Sequence, residues 1–301
     1  MIKSPFNYTG GKYKLLTQII PLFPKPINCF YDIFCGGCSV GINVCAKEVV
    51  FNDKENNLIG LLKVLYKEKL DTILQIIEEI IKSYKLSDSK TYGYEYYGCN
   101  SNSGLSSFNK IKYNRLKDDF NSRKEKDNYY YLMFYVLIVF SFNNQIRFNS
   151  KGIFNLPCGK RDFNKKMMDK LIEFVVCLKK RAVTFSSENF ASMEFSNLSD
   201  KDFVYADPPY LITCATYNES NGWTNDNEIE LLKLLDYLDS KGVKFALSNV
   251  LHSKNKTNEI LKKWLYDNKK YKVFHLNKTY SNSNYHRDNK SNTDEILVIN
   301  Y

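Results

Sequence analysis

The sequence predicts an α/β protein in which a mostly parallel, Rossmann-like sheet is built from both ends of the chain and interrupted by a mostly helical insertion. Three observations carry this expectation. Cys29 to Asp53 follows the order strand, glycine turn, helix, strand, acidic residue, which is the order of a nucleotide-binding βαβ unit. Alternating strand and helix patterns return after residue 181. Between the two, residues 59–180 hold a net charge of +9, nearly all of the chain's +10.

In chain order, Cys29–Phe34 is a short apolar run broken by Gly36-Gly37, and Ser39–Lys47 is assigned to a helix. Glu48–Phe51 is a second strand, closed by Asn52-Asp53. Leu58–Lys85 carries helical apolar spacing through Leu61, Leu62, Leu65, Leu70, Leu74, Ile77 and Ile81. Residues 86–128 are polar, with a short helix expected at Tyr113–Asn121. An aromatic helix at 129–140 and another from Asn164 to Lys180 complete the insertion. Phe203–Ala206 is then a strand. Asn225 with Glu228 suits a helix entry and Gly242 its end, framing a helix at 226–241. Val243–Leu247, 271–276 and 295–300 are the remaining strands, with a helix near 256–267.

Composition narrows the function. A lysine-rich bias would spread charge along the chain, whereas concentration in one segment points to a polyanionic partner, nucleic acid above all. The longest apolar run, Tyr129 to Phe142, is too short to span a bilayer, so no membrane role is expected. Met1–Asn7 has no export signal, so a cytoplasmic protein with reduced thiols is expected. Cys35 and Cys38 form a C-x-x-C, but four converging ligands are not evident, and no metal is assigned. Gly10-Gly11-Lys12 lacks the spacing of a phosphate loop, which sets nucleotide hydrolysis aside. His252, His275 and His286 are expected on the surface or in loops, with no catalytic part.

The most informative run is Asp207-Pro208-Pro209-Tyr210, directly after an apolar strand. Two prolines fix the backbone twice and remove two N–H donors, leaving rigidly directed carbonyls. Asp207 and the Pro208 carbonyl can accept both hydrogens of an exocyclic amine while Tyr210 stacks on the ring that bears it. Accepting those bonds turns the nitrogen lone pair out of conjugation and toward an electrophile.

With this run, Pro5–Lys12, Asp32–Ser39, Asn52-Asp53, Ser248-Asn249 and Tyr280–Ile299, the whole chain resembles the Dam-like, D12-class DNA adenine-N6 methyltransferases. The resemblance implies S-adenosylmethionine as cofactor, held by Tyr8, Lys12, Asp32, Phe34, Gly36, Asp53 and Asp207. It also implies catalysis by Asp207, Pro208 and Tyr210. Independently, glycines allow close backbone approach to a ligand, and an acidic residue after the next strand is placed for ribose hydroxyls. Cys38 stands where the family usually has a second glycine.

Phe142–Asn149 and Phe154–Gly159 resemble the family's recognition hairpin, which implies duplex DNA contacts by Phe142, Asn143, Arg147 and Asn155. Arg147 matches an arginine that reads guanine, and Phe142 an aromatic that enters the stack beside a flipped adenine. The alternative reading of Phe142 is core packing, and that of Arg147 a phosphate contact or a solvent-exposed charge. Residues 1–58 and 181–301 are then one discontinuous catalytic domain and 59–180 the target-recognition insertion. The expected site is GATC or a related GA-containing sequence, although Asn7 replaces the lysine common in GATC-specific relatives. A monomer is expected, with a cognate restriction endonuclease as a partner in the same system but not in a stable complex. Cytosine N4, RNA adenine or a protein amide as substrate, or a catalytically dead DNA-binding regulator, remain as alternatives.

Overall fold

The computed structural model describes residues 1–8, 10–213, 222–277 and 293–301. The chain runs through a 3-10 turn at Lys12–Leu15 into α1 (Leu16–Ile19), then β1 (Cys29–Asp32) and β2 (Glu48–Asn52). Six helices follow: α2 (Asn56–Lys67), α3 (Leu70–Ser83), α4 (Ser89–Tyr92), α5 (Ser106–Ser122), α6 (Asn128–Phe140) and α7 (Lys165–Lys179). The last part holds β3 (Ala182–Ser186), β4 (Phe203–Ala206), α8 (Asn225–Ser240), β5 (Lys244–Ser253), β6 (Lys256–Thr257), α9 (Glu259–Asp267), β7 (Lys272–Leu276) and β8 (Thr293–Ile299). His286 and the stretch 280–292 of the C-terminal motif lie outside the described residues.

Two compact units divide these elements: a sheet unit, Lys12–Lys54 with Ala182–Tyr301, and a helical unit, Met1–Gly11 with Glu55–Arg181. Met1–Gly11 thus groups with the helices, not with residues 12–58. The physical reason is Phe6, buried edge-on against Tyr135 and Phe174 at centroid distances of 6.0 and 6.1 Å. With this boundary the helical unit carries the chain's entire net +10 and the sheet unit is neutral.

In the sheet unit the strand order is β3-β2-β1-β4-β5-β8-β7, with β6 beside β5. β3, β2, β1, β4 and β5 are parallel, and β8 is antiparallel to both of its neighbours. The order reverses direction between β1 and β4, so the crevice at the carboxyl ends of those two strands is the topological switch point where such sheets bind ligands. β4 is buried at every residue and β8 from Glu295 onward is also buried. α8 and α9 cover the sheet through Leu231, Leu235, Leu261 and Trp264, packed on Phe245 and Val298.

The structure departs from the sequence reading at four places. Ser39–Lys47 is not a helix but a loop with one 3-10 turn, Gly41–Asn43. Its buried Val40, Ile42 and Val44 recur at every second position, and Gly41 lies so close to the Phe51 ring that an added Cβ would sit 2.4 Å from it. Leu58–Lys85 is two helices, because Glu68 and Lys69 adopt extended backbone. β3 was not anticipated, its exposed edge pattern being weakly apolar. The α8 cap is Thr224, paired with Asn227 in a capping box, rather than Asn225 with Glu228.

In the helical unit α6 is buried almost all round and packs against α2, α3 and α5. Asp127 caps it by accepting from the Tyr130 amide at 2.8 Å. Phe134, near its middle, meets Phe148 and Phe154 at 5.5 and 5.9 Å, which fixes the hairpin that follows α6. Gly159 closes that hairpin: its amide donates to the Phe140 carbonyl at 2.7 Å, and an added Cβ would lie 2.2 Å from the Ser141 carbonyl oxygen. Because the obstacle is backbone, Gly159→Ala is expected to destabilise the protein by about 1–3 kcal/mol, measured by urea unfolding. An unchanged midpoint would show that this close approach is dispensable.

Candidate active site

The carboxyl ends of three adjacent parallel strands each present an acid: Asp32 on β1, Asp53 after β2 and Asp207 after β4. Asp32 accepts from the Gly41 amide at 3.1 Å, and Asp53 from the Gly36 amide at 3.0 Å. Asn52 braces the strand ends beneath them. Its amide donates to the Ile33 and Glu188 carbonyls, and its oxygen accepts from the Glu188 amide. Gly36 (φ 45°) and Cys38 (φ 58°) are both left-handed, which explains why glycine suits position 38 and shows that Cys38 still makes the turn. Phe34 is half-buried against Phe190 and Trp223, at 5.3 and 5.6 Å, forming an aromatic wall beside the turn.

Lys12 is the pivot of the site. Its side chain is 2% exposed, and a buried ammonium needs close anionic partners to offset its lost hydration. Its Nζ lies 2.6 Å from Asp207 Oδ1 and 3.5 Å from Glu295 Oε1. The Tyr210 hydroxyl lies within hydrogen-bond distance of the same two oxygens, at 3.1 and 3.0 Å, and its one hydrogen is shared between them. Lys12 also stands 4.9 Å from the centroid of the Tyr210 ring, so one face of that ring meets the ammonium. The hydrogen bonds of Asp207 to Lys12 and Tyr210 thus fall on Oδ1, and 17% of the side chain stays exposed.

Electrostatics follow from this packing. Burial pushes the Asp207 carboxyl above its ordinary range; Lys12 opposes that shift and Glu295 adds to it. Burial also raises Asp32, to about 8, with the Gly41 amide opposing and the Asp207 and Asp53 charges adding. Tyr205 and Tyr210 are held well above the ordinary phenol range, first by burial and then by the neighbouring carboxylates.

The remaining candidates fall as follows. Pro208 is buried and Pro209 exposed, as a rigid turn entering solvent requires. Ser248 accepts from Tyr205 at 2.9 Å, and Asn249 donates to the buried Glu228 at 2.9 Å, which Asn258 and Trp223 also bond. In the helical unit, Tyr8 is half-buried and its carbonyl accepts from the Gly11 amide. Phe142 is 51% exposed, so it is not core packing. Arg147 is exposed with its guanidinium braced by Asn155, Nε to Oδ1 at 2.7 Å and Nη2 to the carbonyl at 3.3 Å. Asn143 adopts φ 56° and its carbonyl accepts from Asn7 at 2.9 Å. His252 and His275 lie on β5 and β7, bonded to Thr257 and Asp294. Glu295 is the residue that sequence reasoning missed. No cluster of His, Cys, Asp or Glu suited to a metal occurs among the described residues, and no described helix is long and apolar enough to cross a membrane.

A family model for D12 class N6 adenine-specific DNA methyltransferases matches residues 8–286. The chain belongs to that family. Modification methylase StsI of Streptococcus sanguinis is 40% identical over 306 residues, covering all of this chain and 43% of its own length. Type II methyltransferase M.FokI of Planomicrobium okeanokoites is 39% identical over the same span, again 43% of that protein. The chain therefore spans less than half the length of these two relatives. The DNA adenine methylase of Escherichia coli (strain K12) is 24% identical, covering 97% of this chain and 93% of its own. Type II adenine methyltransferases of this D12 family use S-adenosylmethionine. The sheet unit's donor set fits that molecule: a carboxylate after β2 for ribose hydroxyls, an aromatic wall for adenine, and carboxylates at the switch point for a sulfonium.

Asp32 yields a pH test. Its folded value of about 8 exceeds the ordinary 3.8, so the folded state binds more protons between those limits. The stability it contributes is complete below the lower value and is lost as pH rises through the upper one. Asp32→Asn is expected to make the fall of the urea midpoint between pH 5 and about 8 shallower; an unchanged slope would place the titration elsewhere.

Proposed function

We propose that this protein transfers a methyl group from S-adenosylmethionine to the exocyclic N6 of a flipped-out adenine in a specific short duplex DNA site. The observation that carries this reading is Asp207, whose hydrogen bonds to Lys12 and Tyr210 fall on Oδ1 while 17% of the side chain stays exposed at the switch point. An amine brought there donates one hydrogen to Oδ2 and the other to the Pro208 carbonyl. Its lone pair then leaves conjugation with the ring. When bound, the cofactor supplies an electrophilic methyl on a sulfonium. As the amine accepts that methyl, Asp207 Oδ2 would take the proton that the amine must release. Positioning and fixed charges carry the rate. The acceptor atoms of the amine cannot be reached by a base inside the duplex stack, so the adenine leaves the duplex first.

Support for adenine over cytosine N4, RNA or a protein amide comes from family membership, the aspartate at position 207 and the charge of the helical unit. Asp53, Asp207 and Tyr210 are all present, which speaks against a dead regulator. We further propose that the helical unit recognises the target. Asn155 orients Arg147 so that its guanidinium can present a fork to guanine O6 and N7. Exposed Phe142 is available to enter the base stack, and Asn143 with Asn7 shapes the turn beside it. The site is GATC or a related GA-containing sequence; Asn7 bonds Asn143 rather than standing free for a base. A monomer in the cytoplasm, beside a cognate endonuclease but not bound to it, completes the reading.

Asp207→Ala is expected to abolish methyl transfer to duplex DNA while binding measured by fluorescence anisotropy persists; retained turnover would sink the assignment. Arg147→Ala should relax preference at one base pair, by about 1–3 kcal/mol of discrimination. That loss is read from rates on oligonucleotides changed one position at a time. An equal loss on every sequence would make Arg147 a phosphate contact.

A further inference from the structure

Glu295 is a strongly buried acid beside Lys12 that the methyl-transfer chemistry proposed above does not itself require. It sits on β8 at 1% exposure, opposite Val250 of β5 and Leu276 of β7, neither of which bears charge. The charged and titratable groups around it include Lys12 at 3.5 Å, the Tyr210 hydroxyl at 3.0 Å, and Asp207 and Tyr205 through their mutual fields. Burying a second carboxylate beside a buried ion pair is costly. Its geometry gives it a use: Oε1 binds the same two donors that occupy Asp207 Oδ1.

We propose that Glu295 is a positioning residue that anchors the Lys12 ammonium and the Tyr210 hydroxyl, and thereby dedicates Asp207 Oδ2 to the target amine. Without this anchor, Lys12 is free to bridge both oxygens of Asp207, and Tyr210 has one acceptor in place of two. The acceptor for the amine is then blocked or turned. Glu295 touches neither substrate nor cofactor in this scheme; it acts only through Lys12 and Tyr210. Its negative charge has a second effect of the same origin, since it helps to raise Asp207 above the ordinary carboxyl range.

The proposal rests on the methyltransferase reading, and the test separates the two. Steady-state methylation of a duplex oligonucleotide is compared for wild type and Glu295→Gln, which keeps shape while removing the charge. The expected result is a kcat lowered roughly ten- to a hundredfold. The KM for DNA and the calorimetric affinity for sinefungin, an unreactive amine analogue of the donor, should stay within about twofold. The acid limb of kcat against pH should move to lower pH, because Asp207 loses a neighbouring negative charge. In a Lys12→Met background, Glu295→Gln should add little further loss, since the two act as one unit. Wild-type kcat in Glu295→Gln, or a loss fully additive with Lys12→Met, overturns the proposal. If Glu295→Gln does not fold, Glu295→Asp retains the charge but shortens the reach: lowered kcat at unchanged sinefungin affinity supports positioning, and unchanged kcat overturns it. A wild type that methylates no adenine would instead contradict the function itself.

Discussion

One buried ammonium organises the chemistry of this protein. Lys12 is removed from water at the switch point of the sheet, and its hydration must be replaced by carboxylates and a tyrosine ring. That requirement draws together residues from distant parts of the chain: the first turn of the sheet unit, the end of β4 and the start of β8. The same contacts fall on one oxygen of Asp207, Oδ1. A carboxylate shaped this way suits an amine held in one orientation, as the proposed in-line methyl transfer would demand. The cost of burying two acids beside one base is the physical signature of a site arranged for chemistry rather than for stability.

The division of charge complements that arrangement. The sheet unit is neutral, whereas the helical unit carries the whole excess of positive charge. Under the proposed function, the neutral sheet unit would balance a cationic cofactor with local carboxylates, and the cationic helical unit would meet phosphates through counterion release. Arg147 is set apart from the general lysine charge, because Asn155 fixes its guanidinium. Fixing a fork in place is what distinguishes base reading from backbone attraction.

Much of this was legible in the sequence. β4 and the following Asp-Pro-Pro-Tyr, the acid after β2, and the aromatic α6 are set by short local patterns that tertiary contacts leave intact. The helix expected at Ser39–Lys47 followed from the order of a βαβ unit, whereas Ser39, Val40, Gly41, Asn43, Val44 and Cys45 are poor helix formers. Their burial at alternate positions and the approach of Gly41 to Phe51 are tertiary facts. Glu295 was invisible for a related reason. In Thr293-Asp294-Glu295 it reads as the polar entrance of a strand, and only pairing with Lys12 and Tyr210 explains an acid at 1% exposure. The continuous apolar run Ile296–Ile299 that follows marks β8, but not the acid's purpose.

The central claim is that Asp207 Oδ2 is the acceptor of the target amine. It is tested most directly by a crystal structure of the protein with sinefungin and a duplex containing its methylation site. The account predicts an extrahelical adenine whose N6 lies within about 3.2 Å of Asp207 Oδ2, with Lys12 and Tyr210 still bonded to Oδ1. An adenine N6 held by other groups, or Lys12 bound across both oxygens of Asp207 in that complex, would contradict it.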